Sequence, residues 1–192
     1  MKNTKLVPAL ALVLVLFTAN ADLLGAQQRR VNGTYRIGDA GPAGGTVFYD
    51  KGDYSGGWRY LEAAPVNAEI TNVQWGLRDI DLRGTSQAVG SGRRNTWLIL
   101  NRLNSLGEEG RAAQRCHALN VNGFCDWFLP SMDELNLMYV NLHRNGLGGF
   151  SDTWYWSSSQ DSIHYAWHQN FGSGSQANHK YHMHSARAVR AF

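Results

Sequence analysis

After Gly149 the chain carries no helical signal. "TWYWSSS", "HYAWHQNF" and "ARAVRAF" are short aromatic and β-branched runs separated by Gly, Ser and Asn, the texture of strands and turns. Helical spacing is confined to the middle, and two further strand-like stretches precede it. Strands, then helices, then strands indicate an α+β domain rather than a wound parallel sheet.

The helical signals differ in kind. In "DWFLPSMDELNLMYVNLHRNG", Ser131 and Glu134 form an S-x-x-E capping box, and Leu135, Met138, Tyr139 and Leu142 fall at i, i+3, i+4 and i+7, with Gly146 as the stop. Asp133 and Glu134 are read as first-turn carboxylates that complement the helix dipole, not as a catalytic pair. In "NTWLILNRLNSLG", Asn95 or Thr96 caps a helix whose Trp97, Leu100 and Leu103 recur at helical spacing, ending at Gly107. "EEGRAAQRCHAL" gives a shorter helix ending near Cys116. Ahead of these, "RIGDAGPAGGTVFYDKG" is a glycine turn feeding a strand at 46–49, and "GGWRYLEAAP" repeats the pattern, with 58–62 alternating. No G-x-x-x-x-G-K-[ST] is present, and a strand follows the glycines where a phosphate loop would place a helix.

The first 21 residues read as a signal peptide: Lys2 and Lys5, an apolar run over 6–19, and the small-x-small site Ala19-Asn20-Ala21. The run is short for a bilayer span of about 20 apolar residues. Export without a retained anchor is expected, to the periplasm, the cell surface or the medium; an uncleaved N-terminal helix is the alternative. Residues 22–32 read as a flexible leader and 33–192 as one domain. Removing Lys2 and Lys5 takes the 18 basic residues to 16 against 15 acidic ones, so no basic groove for nucleic acid is expected. Cys116 and Cys125 are the only cysteines. In an oxidising compartment they are expected to form a disulfide; two reduced core thiols, or a redox or metal pair, are the competing readings.

"IGDAGPAGGTVFYDKG", "GWRYLEAAP", "GRRNTWLIL", "NGFCDWFLPSMDELNLMY", "YWSSSQ", "AWHQNF" and "VRAF" together resemble the Lcl C-terminal domain family, the domains that end bacterial collagen-like adhesins and also occur alone in exported proteins. The likeness spans about 34–192. It implies a C-type-lectin-like mixed fold with short strands, about three helices and paired terminal strands, distantly similar to formylglycine-generating enzymes and retroelement-diversified variable proteins. It also implies a ligand surface in the C-terminal half. The collagen-like adhesins bind sulfated polysaccharides, but this chain has no G-X-Y tract. Formylglycine-generating enzymes use paired cysteines near the C-terminal part of their fold, whereas here no cysteine lies beyond Cys125.

The remaining question is "NHKYHMHS", 178–185. Serine, histidine and acid are all present after residue 150, but nothing like G-x-S-x-G frames a nucleophile, and no catalysis is expected. Calcium would draw on Asp152, Asp161, Asn170 and Asn178 alone. His179, His182 and His184 could gather zinc, yet no acid follows Asp161, and no metal or other cofactor is expected. Between 151 and 185, Ser, His, Tyr, Trp and Asn make up 21 of 35 residues, a mix that suits a binding surface. Alternation places Tyr165, Trp167, Gln169 and Phe171 inward and His164, Ala166, His168 and Asn170 outward. Periodicity and exclusion therefore predict a ligand face carrying His164, His168, His179, His182 and His184, with Tyr181 for stacking and Gln160, Asp161, Asn170 and Asn178 for hydrogen bonds. Its expected ligand is an extracellular glycan or protein; the alternative is a lectin-fold enzyme or a metal-dependent protein using the C-terminal histidine cluster. Such a cluster is expected to gain charge as pH falls through about 6.5, favouring an anionic partner in mild acid.

Overall fold

Glycine at 41 and 45 is required by close approach. A Cβ on Gly45 would stand 2.3 Å from the Ala63 carbonyl, and one on Gly41 2.2 Å from Glu62 Oε2. The loop wraps the buried Glu62 carboxylate, which accepts from Ala43 N at 3.3 Å, Gly45 N at 3.1 Å and Arg190 Nη1 at 3.1 Å. In this computed structural model residues 33–192 are described, apart from 78 and 80; the expected signal segment and leader lie outside the described residues. Arg36–Phe192 forms one compact unit.

The architecture is α+β. Strands β1 (Thr46–Asp50), β2 (Tyr60–Ala63) and β8 (Val189–Ala191) form one antiparallel sheet in the order β1-β2-β8, so the C-terminal strand pairs with an early one. A second sheet runs β3-β7-β4-β5-β6, built from β3 (Ile70–Gln74), β4 (Trp154–Gln160), β5 (Ala166–Asn170), β6 (Gln176–Asn178) and β7 (Met183–Ala186). Only its β4–β7 pair is parallel. Three helices, α1 (Gly92–Ser105), α2 (Ala112–His117) and α3 (Met132–Asn141), lie between these strands in sequence. Among the described residues no helix is long and apolar enough to cross a membrane.

Helix α3 follows its sequence signals. Ser131 Oγ accepts from Glu134 N, Glu134 Oε2 accepts from Ser131 N at 2.7 Å, and Leu135, Met138 and Leu142 are buried. Ahead of it the DWFLPS segment is fastened on two sides. Phe128 and Val189 exchange backbone hydrogen bonds at 2.9 Å, and Leu129 N donates to Thr96 Oγ1 at 3.0 Å. The YWSSS serines are also structural: Ser157 Oγ donates to Trp167 O at 2.7 Å, Ser158 Oγ to Pro130 O at 3.1 Å, and Ser159 Oγ to Ser86 O at 2.9 Å. All three are fully buried, so they leave the binding mix inferred from composition.

Three expectations are corrected. Helix α1 begins at Gly92, ahead of Asn95 and Thr96, and its buried stripe includes both of these polar residues with Ile99 and Leu103; Trp97 is 61% exposed. Residues of β2 do not alternate, because both faces of the strand are covered. Cys116 and Cys125 are not joined: Cys116 points into the core beside Ala112 and Ala113 on the inner face of α2, while Cys125 is exposed. Burial pushes the Cys116 thiol above its ordinary value, which makes it inert rather than reactive.

Candidate functional site

The C-terminal half assembles a ring of imidazoles on one face of the five-stranded sheet. Trp154 and Trp156, two apart on β4, share that face. The β4–β5 register sets Trp156 opposite His168, and β7, paired with β4 at Tyr155↔Ser185, brings His184 alongside. The connection from β6 to β7 adds His179 and His182. Ring centroids are 4.7 Å apart for His168–His184, 5.6 Å for His184–His182, 5.7 Å for His182–His179 and 6.2 Å for His179–His168. Trp156 lies under the inner pair, 5.1 Å from His168 and 4.4 Å from His184.

The four histidines are not equivalent. His179 and His182 are exposed, whereas His168 is only 3% exposed and His184 half-buried. This corrects the outward placement of His168: β5 is flanked by β4 and β6, and Trp154, Trp156 and the 179–184 segment cover the face that alternation left to solvent. Tyr165, assigned inward, is exposed, and Trp167 is half-buried. Desolvation, reinforced by neighbouring imidazoles, holds the His168 and His184 pKa values down at about 4, so mild acid leaves both neutral. His168 Nδ1 lies 3.2 Å from Ala166 O, which favours the tautomer with its proton on Nδ1. His184 Nε2 is buried and meets no hydrogen-bond partner.

Lys180 is the residue that sequence reasoning missed within this segment. It is buried; its Nζ donates to Ile163 O at 2.8 Å and lies 4.8 Å from the Trp75 ring, and burial lowers its pKa to about 8. It fastens the histidine-bearing turn to the β4–β5 connection, while His179, Tyr181 and His182 stay exposed. An isolated lysine among polar neighbours gives no sequence sign of burial.

The other predicted site residues divide. Asn178 Nδ2 donates to Asp161 Oδ2 at 3.0 Å, which places that pair beside the ring, and Tyr181 is 49% exposed. His164 instead sits 2.7 Å from Asp79 Oδ1. Gln160 is spent on packing, its Oε1 accepting from Leu82 N at 2.6 Å and its Nε2 donating to Ser162 O at 2.6 Å. Asn170 Oδ1 holds the following turn by accepting from Ser173 N at 2.9 Å. Among the described residues no three His, Cys, Asp or Glu side chains are gathered as a metal ion requires.

A neutral imidazole core with an exposed aromatic rim also sets an acid response. The unfolded chain takes up protons on histidine near pH 6.5, but the folded His168 and His184 resist until about 4. Between these values the unfolded state binds more protons, so the contribution of the pair is complete above 6.5 and lost as pH falls toward 4. Glu134 has the opposite sign: burial lifts its carboxyl to about 7, and its contribution grows as pH falls from 7 toward 4.5. The expected result is therefore a difference. Between pH 6.5 and 4.5 the parent loses more thermal stability than a His168→Phe variant, and a constant gap in melting temperature would contradict the neutral inner pair.

Fold and site together define an α+β domain bearing an imidazole and indole cluster rimmed by exposed tyrosines. No family model matches the chain, and no curated protein does. Among solved structures it is similar to a fimbrial protein from Bacteroides ovatus ATCC 8483, with a TM-score of 0.42 and 9% identity over 69% of this chain. The match spans about a third of that protein's length, 35%, and a likeness this low carries no argument.

Proposed function

We propose that the chain is an exported, non-enzymatic recognition domain of the Lcl C-terminal type, with a C-type-lectin-like fold. It binds an extracellular glycan, sulfated polysaccharides included, or a protein through its C-terminal half. The carrying observation is the continuous exposed surface of Tyr165, His179 and His182, with Tyr181 exposed on the same β6–β7 connection and Met183 exposed at the start of β7. Phenol and imidazole rings give contact area at little entropy cost, and Lys180 fixes the turn that carries most of them. Support against a hydrolase comes from the serines of 157–159, whose hydroxyls are buried and committed to backbone carbonyls.

Glycan and protein arrays probed with the protein and with a His179→Ala/His182→Ala/His184→Ala variant test this. Capture of at least one partner is expected to fall about tenfold or more in the variant, on the scale of a lost hot spot, with the fold retained by circular dichroism. Unchanged capture would remove this surface from the site. A metal-dependent reading has one observation in its favour, the partnerless Nε2 of His184 among four imidazoles. Stoichiometric zinc in untagged protein, lost in the same variant, would favour it.

A further inference from the structure

Helix α1 carries a second stripe that folding does not use. Arg93, Trp97, Asn101 and Asn104 recur at steps of four, four and three, so they share the face opposite Ile99 and Leu103. All four are exposed, Trp97 the most exposed large hydrophobic side chain among the described residues. They form one wall of a cleft of about 550 Å3 whose other wall is the segment 125–128, with His117 at its margin. That volume lies in the range of small-ligand sites, about 300–1,000 Å3.

The polar groups around the indole are held in place from behind. Asp126 Oδ1 accepts from Arg190 Nε at 2.5 Å, which leaves Oδ2 toward the cleft, 3.6 Å from Arg93 Nη2. Arg93 is itself steadied over the Phe128 ring, 5.5 Å from its centroid. Asn104 Oδ1 accepts from Gln114 Nε2 at 3.0 Å, so its side-chain amide nitrogen is directed away from that bond. The cleft thus presents a flat apolar surface bordered by a carboxylate acceptor, a guanidinium donor and side-chain amides. Arg93 and Asp126 offset each other, so the occupant need not be charged.

We infer that this cleft binds a neutral pyranose sugar. A pyranose ring has an apolar C–H face to stack on Trp97 and a rim of hydroxyls that both donate and accept, matching Asp126, Arg93 and Asn101. An aromatic side chain of a peptide would cover Trp97 but offer nothing to the hydrogen-bonding positions those groups have left beyond their bonds within the protein, at a cost of about 1–3 kcal/mol for each one desolvated. The site stands apart from the imidazole ring and does not depend on what that ring binds.

The test follows the Trp97 indole N–H resonance of the purified protein during titration with lactose, cellobiose, mannobiose and chitobiose. A saturable shift with at least one of these is expected. The affinity, read in parallel by isothermal titration calorimetry because Trp97→Ala removes the reporting indole, should weaken about tenfold or more in Trp97→Ala and in Asp126→Asn, as for a hot-spot residue, and persist in the His179/His182/His184 triple alanine variant. Because Trp97 is exposed, Trp97→Ala should melt with the parent, which separates lost binding from lost folding. No shift with any of the four disaccharides, or binding that survives Trp97→Ala, overturns the inference. A shift produced by a phenylalanine dipeptide and by none of the sugars also overturns it.

Discussion

Trp127→Ala is expected to lower the free energy of unfolding by about 3–5 kcal/mol, the range for large aromatic truncations in a core. Trp127 is 1% exposed and belongs to the cluster that also contains Trp75, Trp156, Ile99 and Leu129. Its Nε1 donates to Phe124 O at 3.0 Å, so the truncation opens a cavity and also removes one of the two hydrogen bonds to that carbonyl, which keeps the bond from Val121 N at 3.1 Å. The damage has little room to relax, because the flanking backbone is tied to β8 through Phe128 and to α1 through Leu129. Chemical denaturation of parent, Trp127→Phe and Trp127→Ala measures it, with the phenylalanine variant falling between the other two. An alanine variant that unfolds with the parent would mean that this segment is not part of the core.

That segment was legible because its information is local. A capping box, an i, i+3, i+4 apolar stripe and a terminating glycine all lie within 131–146, and each acts over one or two helical turns. The misreadings have long-range causes. Asn95 is an apparent cap because asparagine seldom lies on a buried helix face, yet its side chain accepts from Ser86 N at 3.0 Å and donates to Ser86 O at 2.6 Å and Ser158 Oγ at 3.2 Å. Those partners come from a loop and a distant strand. Once polar Asn95 and Thr96 occupy the inner face, the helix turns Trp97 outward, and apolar periodicity cannot register this.

The imidazole face was legible in part for the same reason. His179, Tyr181 and His182 are exposed, in keeping with the polar and aromatic composition of their segment. His168 is not, since alternation assigns one face of a strand to solvent and cannot see that Trp154, Trp156 and the 179–184 segment cover it. The serines of 157–159 misled in the opposite direction. Their hydroxyls serve as tertiary hydrogen-bond donors, which composition cannot tell from a surface.

Arg187→Met is expected to be as damaging as the loss of Trp127, about 3–5 kcal/mol, because it breaks a buried ion pair and leaves one charge behind. Arg187 sits fully buried between β7 and β8, where the chain passes from one sheet to the other. Its guanidinium donates through Nε to Glu69 Oε2 at 3.0 Å and through Nη2 to the same oxygen. It also reaches Ala64 O at 3.1 Å, Gly148 O at 2.9 Å and Gly149 O at 3.3 Å, and stacks 4.4 Å from the Phe150 centroid. One planar side chain therefore joins the end of β2, the approach to β3 and the loop that follows α3. Lysine cannot replace it, since a single ammonium cannot span a carboxylate and three separated carbonyls. The double variant Arg187→Met/Glu69→Gln separates the two contributions. Removing the stranded carboxylate should recover part of the loss, seen as a denaturation midpoint between those of Arg187→Met and the parent. If the double variant were no more stable than Arg187→Met, the cost would lie in the three carbonyls and the sheet junction rather than in the unpaired charge of Glu69.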